Sequence, residues 1–319
     1  MAEQPFYPFG IIMAAHPGDA LLAKACLASI KMYMPDIPVC IIADGGLDVS
    51  GWKKYYPVVK IVTKECTSNK YLRDNCFNSR LCALVSFWES PFEKFLYLDA
   101  DTIVWGNILK EIDLSEAQLI HNSPHEHYTD AIYRSQYFNY QKVFAFTRYF
   151  DWKPYHYFNS GVFIAERMLL DLDELRELVM VWKKDRMILR TDVQSILNLL
   201  IFRGVSEGRY VVREANLQTV IPVVPRNELE SIFRIQDGLP VVKHPTILHW
   251  AGKKPLLRHP GVFQAPVEFF RMLHLKNIHH PGRHIPRITM YAQEYQSGLS
   301  SYYHRIIRKL SRSHRLVNP

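Results

Sequence analysis

The stretch Phe95-Leu-Tyr-Leu-Asp-Ala-Asp-Thr-Ile-Val104 constrains this 319-residue chain more than any other part of it. Phe95 to Leu98 are largely apolar and read as a strand buried on both faces. The run ends abruptly in Asp99-Ala100-Asp101. Residues i and i+2 of an extended segment point the same way, so both carboxylates face one point at the strand's C-terminal edge. Two hard oxygen donors there suit Mg2+ or Mn2+, ions that keep waters and accept ligand phosphates. The competing reading is that two aspartates merely end a strand and cap the next turn. Asp-x-Asp alone does not decide; the apolar strand before it and the motifs after it favour the metal.

Upstream, Gly10 to Ala15 is a short apolar run closed by His16-Pro17-Gly18, a strand followed by a turn. Asp19 is placed to cap a helix through about Tyr33, and Pro35 stops it. Pro38 to Ala43 and Pro57 to Thr63 read as two further strands, the first ending in Asp44-Gly45-Gly46. Strand, helix and strand with short links make a parallel crossover, the opening of a nucleotide-binding sheet. Ligands bind such sheets outside the C-terminal strand edges, which makes Ala14, Ala15, His16 and Asp44 candidates for holding a base and ribose. As ordinary turn residues they have an equally good account. Asn78 to Trp88 is expected to be one helix carrying Arg80 towards the same edge.

A short strand is expected at Ala117 to Ile120. His121 to Asp151 is rich in histidine and aromatic residues, without a zinc-type spacing. It reads as a loop or short helices beside an acceptor site, because exposed aromatics stack on sugar rings; a local aromatic mini-core is the alternative. In Tyr157-Phe-Asn-Ser-Gly-Val-Phe-Ile164, Asn159 and Ser160 offer short polar groups and Gly161 permits a close backbone approach before a strand. A helix is expected over Leu169 to Lys184, and another opens at Thr191-Asp192-Val-Gln194, where Thr191 or Asp192 also reads as its N-cap. Short strands follow between Val211 and Val224. His249-Trp-Ala-Gly252-Lys253-Lys254-Pro255 then sets a metal-competent imidazole, an open backbone and two phosphate-pairing amines in one turn.

Composition sets outer bounds. Hydrophobic content of 48% and charged content of 22% are those of a soluble globular chain long enough for a sizeable core. Nothing approaches the ~20 apolar residues of a membrane span, and the N-terminus lacks the marks of a secretory signal. Five cysteines, all in the first third, read as reduced thiols, so a cytoplasmic location is expected. The net charge of +8 lies entirely in the last stretch: from Arg271 onward there are nine basic residues and one acidic. The rest is neutral, which gives nucleic-acid binding little support. Within that tail Tyr303, Ile306, Ile307 and Leu310 share one helical face, with cations mainly off it. Such a helix suits the inner face of an anionic membrane, as a peripheral contact, or docks on the main body; both readings stay open. The chain is thus divided into a catalytic domain over residues 1–258 and a basic extension with an amphipathic helix over 259–319.

Taken together, Leu96-Tyr-Leu-Asp-Ala-Asp-Thr, Phe158-Asn-Ser-Gly-Val, the helix from Asp192-Val-Gln194 to Leu197-Asn198, and His249-Trp-Ala-Gly-Lys-Lys-Pro resemble the glycogenin-like and lipopolysaccharide-galactosyltransferase-like GT-A glycosyltransferases, family 8 and relatives. The resemblance covers roughly residues 8–257 and keeps the family's motif order. It implies an α/β GT-A fold, with a mixed and mainly parallel sheet flanked by helices. It also implies a nucleotide-sugar donor, usually a UDP-sugar, held through Mn2+ or Mg2+, with a glycan, glycolipid or protein as acceptor and retention at the anomeric carbon. By motif match Asp99, Asp101 and His249 would ligate the metal, with Ala100 between them. Gly252 and one of Lys253 and Lys254 would touch the diphosphate, with Arg80 as the basic residue before the Asp-x-Asp strand. Asn159, Asp192 and Gln194 would line the transfer site. The sequence departs from the family in two places. One residue fewer separates Gly252 from its lysine, and Val193 splits the usual Asp-Gln pair. Two other classes compete: a nucleotidyltransferase, which would show a better basic Gly-rich loop than Ala14 to Gly18, and a non-catalytic carbohydrate-binding protein on the same fold.

Overall fold

The computed structural model describes residues 6–115, 117–122, 139, 142–143, 157–256, 259, 261–278 and 288–296. The strands are β1 Tyr7–Ala15, β2 Val39–Ala43, β3 Val58–Val62, β4 Phe92–Asp99, β5 Thr102–Trp105, β6 Leu119–Asn122, β7 Val162–Glu166, β8 Val212–Ala215, β9 Gln218–Ile221, β10 Arg234–Gln236, β11 Leu239–Val241 and β12 Thr246–Trp250. The helices are α1 Ala20–Tyr33, α2 Lys70–Asn75, α3 Ser86–Glu89, α4 Leu172–Lys184, α5 Val193–Ser206, α6 Arg226–Ile232 and α7 Ala265–Ile278.

Seven strands form the main sheet in the order β3-β2-β1-β4-β7-β6-β8. The pairs from β3 to β4 are parallel, as is β6 with β8, whereas β7 runs antiparallel to both β4 and β6. This is the mixed, mainly parallel sheet flanked by helices that the sequence implies. The period of two sorts β4 between two cores: Leu96 and Leu98 enter one with α1 and α7, while Phe95 and Tyr97 enter the other with α4 and α5. Both faces are covered, which is why the strand reads as continuously apolar. Register then sets Tyr97 opposite Phe163. The Phe163 ring stacks between Tyr97, 4.8 Å away, and Phe87, 5.6 Å away.

Three local expectations are corrected. Asn78 to Trp88 is not one helix: α2 precedes it, and only residues 82–89 are helical, as a 3-10 turn running into α3. Asn78 has a positive φ of 53°, a conformation asparagine tolerates, and its N–H donates to Asp44 Oδ1 at 2.7 Å instead of continuing a helix. Asp19 makes no side-chain cap on α1, because its carboxylate is taken by His16 Nε2 at 3.0 Å. The long helix expected from Leu169 starts at Leu172, where Asp171 caps it by accepting from the N–H groups of Asp173 and Glu174.

The core runs past the boundary expected at residue 258. Phe263, Val267 and Phe270 join the core of the main sheet, with α7 lying along α1. Arg271, counted with the tail cations, is buried and paired with Glu294, the one acid of that span; it also donates to Met290 O at 2.9 Å. Removing one partner of a buried pair costs ~3–5 kcal/mol, so the helical run over 288–296 is fastened to α7. The amphipathic stretch 302–310 and most of the aromatic segment 121–151, including His125 and His127, lie outside the described residues. No described helix is long and apolar enough to cross a membrane, and the five cysteines form no disulfide.

Candidate functional site

The carboxylates arrive at the edge by a change of sheet. β4 ends at Asp99, Ala100 and Asp101 turn the chain, and Thr102 Oγ1 closes the turn by donating to Asp99 O at 2.8 Å. β5 then leaves the main sheet and pairs antiparallel with β12, in a second sheet of order β5-β12-β9. That pairing sets His249 opposite Thr102, and Trp250 N donates to Asp101 O at 3.1 Å. His249 is therefore delivered to the two aspartates by backbone register.

His249 Nε2 lies 3.7 Å from Asp99 Oδ2 and 3.6 Å from Asp101 Oδ1. One donor atom from each of the three residues falls within 4.8 Å of the others. Gln218, on β9, fixes the imidazole. Its amide nitrogen donates to Asn159 O at 3.4 Å, which turns Oε1 towards His249 Nδ1 at 2.8 Å. Nδ1 therefore carries the proton and Nε2 presents a lone pair to the carboxylates. Burial lowers the pKa of His249 and keeps the ring neutral, against the pull of Asp101. Three acceptor atoms converge within 4.8 Å of one another, an arrangement that a divalent cation resolves. An imidazole nitrogen with two carboxylate oxygens fits Mn2+ or Mg2+ with sites left for water and phosphate.

The surroundings are equally specific. Gly161 leaves room for the imidazole, since a Cβ there would sit 2.1 Å from His249 Cε1. Tyr97 Oη donates to Asp99 Oδ1 at 2.9 Å. Lys254 pairs with Asp101 Oδ2; burial opposes its charge, but Asp101 together with Asp19 and Asp99 raises its pKa. Lys253 is exposed. Of the two lysines, Lys254 is the one the fold brings to the carboxylates. Gly252 adopts a φ of +142°, with open space where a side chain would stand.

Partial burial and the neighbouring Asp101 push the Asp99 carboxyl up to about 7, against Tyr97 and Lys254. A proton and a cation compete for that group. Because a raised carboxyl is deprotonated only above its pKa, Mn2+ affinity should rise with pH through about 7 and fall ~10-fold per unit below it. Calorimetric Mn2+ titrations on both sides of neutrality check this; an affinity independent of pH there would contradict it.

On the other side of the β7 turn, Ser160 N donates to Gln194 Oε1 at 3.1 Å, and Gly161 N donates to Asn159 Oδ1 at 2.9 Å. Asp99 N donates to Gly161 O at 2.8 Å, so this turn joins α5 to the metal-competent triad. Asp192 stands at the N-cap position of α5 with φ +47° but caps nothing. Its Oδ1 accepts from Trp182 Nε1 at 2.8 Å and its Oδ2 from Arg80 at 3.3 Å. The reading of Asp192 as a helix cap is thereby corrected: two side-chain donors aim the carboxylate instead. Asn198 holds the segment by a two-way amide exchange with the Phe158 backbone, at 2.9 and 3.0 Å. Ala14, Ala15, His16 and Asp44 lie at the ends of β1 and β2, and Asp44 Oδ1 is occupied by the N–H groups of Gly45 and Asn78. Sequence reasoning missed Gln218, Tyr97 and Trp182 as supports; a glutamine in a short strand, or a tryptophan on a core face, carries no signal of a distant partner.

Residues 53–256 match the model of glycosyl transferase family 8. No curated protein matches the chain. Among solved structures, the galactosyltransferase LgtC in complex with donor and acceptor sugar analogs is similar at a TM-score of 0.53 and 18% identity, over 86% of this chain and 98% of that one. The bifunctional glycosyltransferase WbbM is similar at 0.55 and 13%, over 93% of this chain and 52% of its own. The glycosyltransferase GlyE of Streptococcus pneumoniae TIGR4 is similar at 0.50 and 14%, over 92% and 64%. At these identities the likeness is one of fold.

Proposed function

Because the chain belongs to glycosyl transferase family 8, we propose that it moves a hexosyl group from a UDP-sugar, held through Mn2+ or Mg2+, to a hydroxyl of a glycan, glycolipid or protein, with retention at the anomeric carbon. The observation that carries this reading is the meeting of Asp99, Asp101 and His249 at one point of the sheet edge, with Lys254 at its rim.

Transfer breaks the bond from the anomeric carbon to the diphosphate, and the electron pair leaves with UDP. An acceptor oxygen bonds to that carbon and gives up its proton. A divalent ion held by the three side chains would supply positive charge where the leaving diphosphate gathers negative charge. Lys254 adds a fixed cation at the same end, and Asp101 holds it there. Gln218 and Gly161 keep the imidazole in place, the first by a hydrogen bond and the second by leaving space. On the sugar side, positive charge grows at the anomeric carbon, and the carboxylate suited to meet it is Asp192, aimed by Trp182 and Arg80. The ends of β1 and β2, with His16 and Asp44, would receive the base and ribose, as the C-terminal strand edges of such sheets do.

The test is UDP release from a panel of UDP-sugars with Mn2+, with and without chelator. One UDP-sugar should be hydrolysed slowly and the chelator should stop it; binding of none, or turnover indifferent to the chelator, refutes the reading. The same proposal includes a peripheral membrane contact by the basic tail. Full-length protein should then co-sediment with anionic vesicles, less so at high salt, while a form lacking residues 298–319 stays active in the supernatant. Full-length protein that ignores the vesicles removes that part.

A further inference from the structure

The Asp101 carboxylate is claimed from two sides. Its Oδ1 faces His249 Nε2 at 3.6 Å within the triad, while its Oδ2 pairs with the Lys254 ammonium. Both residues are held by backbone. Trp250 N donates to Asp101 O at 3.1 Å, and the Lys254 carbonyl accepts from Leu256 N at 2.9 Å and stands 2.9 Å from His259 Nδ1. Asp101 is only 6% exposed, so little water screens what meets one of its oxygens from what meets the other. Asp19 and Asp99 act on the same ammonium, which makes it the cation of an acidic cluster and not of one partner.

The balance of charge carries a consequence. Two carboxylates and a neutral imidazole match one divalent ion, and the ammonium leaves them one negative charge short. An ion on Oδ1 and an ammonium on Oδ2 share one carboxylate, and like charges at that range repel strongly in a buried site. The diphosphate of a sugar nucleotide brings two negative charges, enough to accommodate both cations. Resting on the donor reading, we infer that Lys254 couples the ion to the donor: it opposes a divalent ion that comes to Asp101 alone and favours the ion and the diphosphate together. Such a coupling is reciprocal, so each of the two ligands tightens the other. A lysine that served only the diphosphate would leave affinity for the ion alone untouched.

The test titrates the full chain with Mn2+ alone, then with UDP at saturating Mn2+, at a pH well above neutrality where Asp99 is ionised. Lys254→Met and Lys254→Gln should bind Mn2+ alone ~10-fold more tightly than the parent, yet bind UDP ~10-fold more weakly. Lys254→Arg, which keeps the charge, should keep the parent's weak Mn2+ binding. Lys253→Met removes the same charge from an exposed neighbour and should leave Mn2+ affinity within about twofold. Mn2+ alone should also raise the melting temperature of the two neutral Lys254 variants by more than it raises the parent's, a readout that survives any loss of their stability. The inference is overturned if neither neutral variant gains affinity for Mn2+ alone, or if Lys253→Met gains as much. Failure of the parent to bind UDP with Mn2+ instead refutes the donor reading, and this inference with it.

Discussion

Asp101→Ala is expected to lower sugar transfer ~10^3-fold, the scale on which removal of one preorganised electrostatic element at a leaving group acts. Asp101 is nearly buried, contributes one oxygen to the triad and pairs through the other with Lys254. On the proposed reading its loss removes a metal ligand and releases the lysine assigned to the same end of the donor. The expected signature is loss of Mn2+-dependent UDP affinity with a melting temperature close to the parent's, since Lys254 is partly exposed and can return to water. Asp101→Asn, which keeps the shape and one oxygen, should fall between the two. Unchanged Mn2+-dependent UDP affinity in Asp101→Ala would refute the assignment.

Asp192→Asn should lower turnover ~10^2-fold or more while UDP affinity stays within about twofold, the pattern of an interaction used mainly in the transition state. The structure removes the competing explanation in advance. A helix cap would be served as well by asparagine, but the carboxylate makes no cap bond and instead accepts from Trp182 and Arg80. An amide in its place turns an NH2 towards one of those two donors and loses the charge proposed to act on the sugar. Steady-state kinetics with UDP-sugar, beside a UDP titration, check it; parental turnover would show that Asp192 only shapes the chain.

Where sequence and structure agree, the cause is local. Phe95 to Leu98 announced a doubly covered strand because both faces are apolar, and Asp99 to Asp101 announced an edge because charge cannot continue into that core. Gly161 was legible as a close approach, though not as the space for His249 in particular. The single helix expected over Asn78 to Trp88 failed because Asp44, far away in sequence, draws the Asn78 N–H to itself. Asp19 failed as a cap because His16 offers a better partner. Gln218 and Trp182 stayed hidden for the same reason: each acts through tertiary hydrogen bonds, which no periodicity records. Lys254 was separable from Lys253 only once the turn after β12 was folded against Asp101.

The central claim is that Asp99, Asp101 and His249 hold one divalent ion beneath the donor diphosphate. Anomalous diffraction from crystals grown with Mn2+ and UDP tests it most directly. The account predicts a single strong peak within ligand distance, about 2.0–2.4 Å, of all three side chains, with a UDP phosphate oxygen completing its shell. A peak elsewhere, or UDP bound at this edge with no metal between it and the triad, would contradict it.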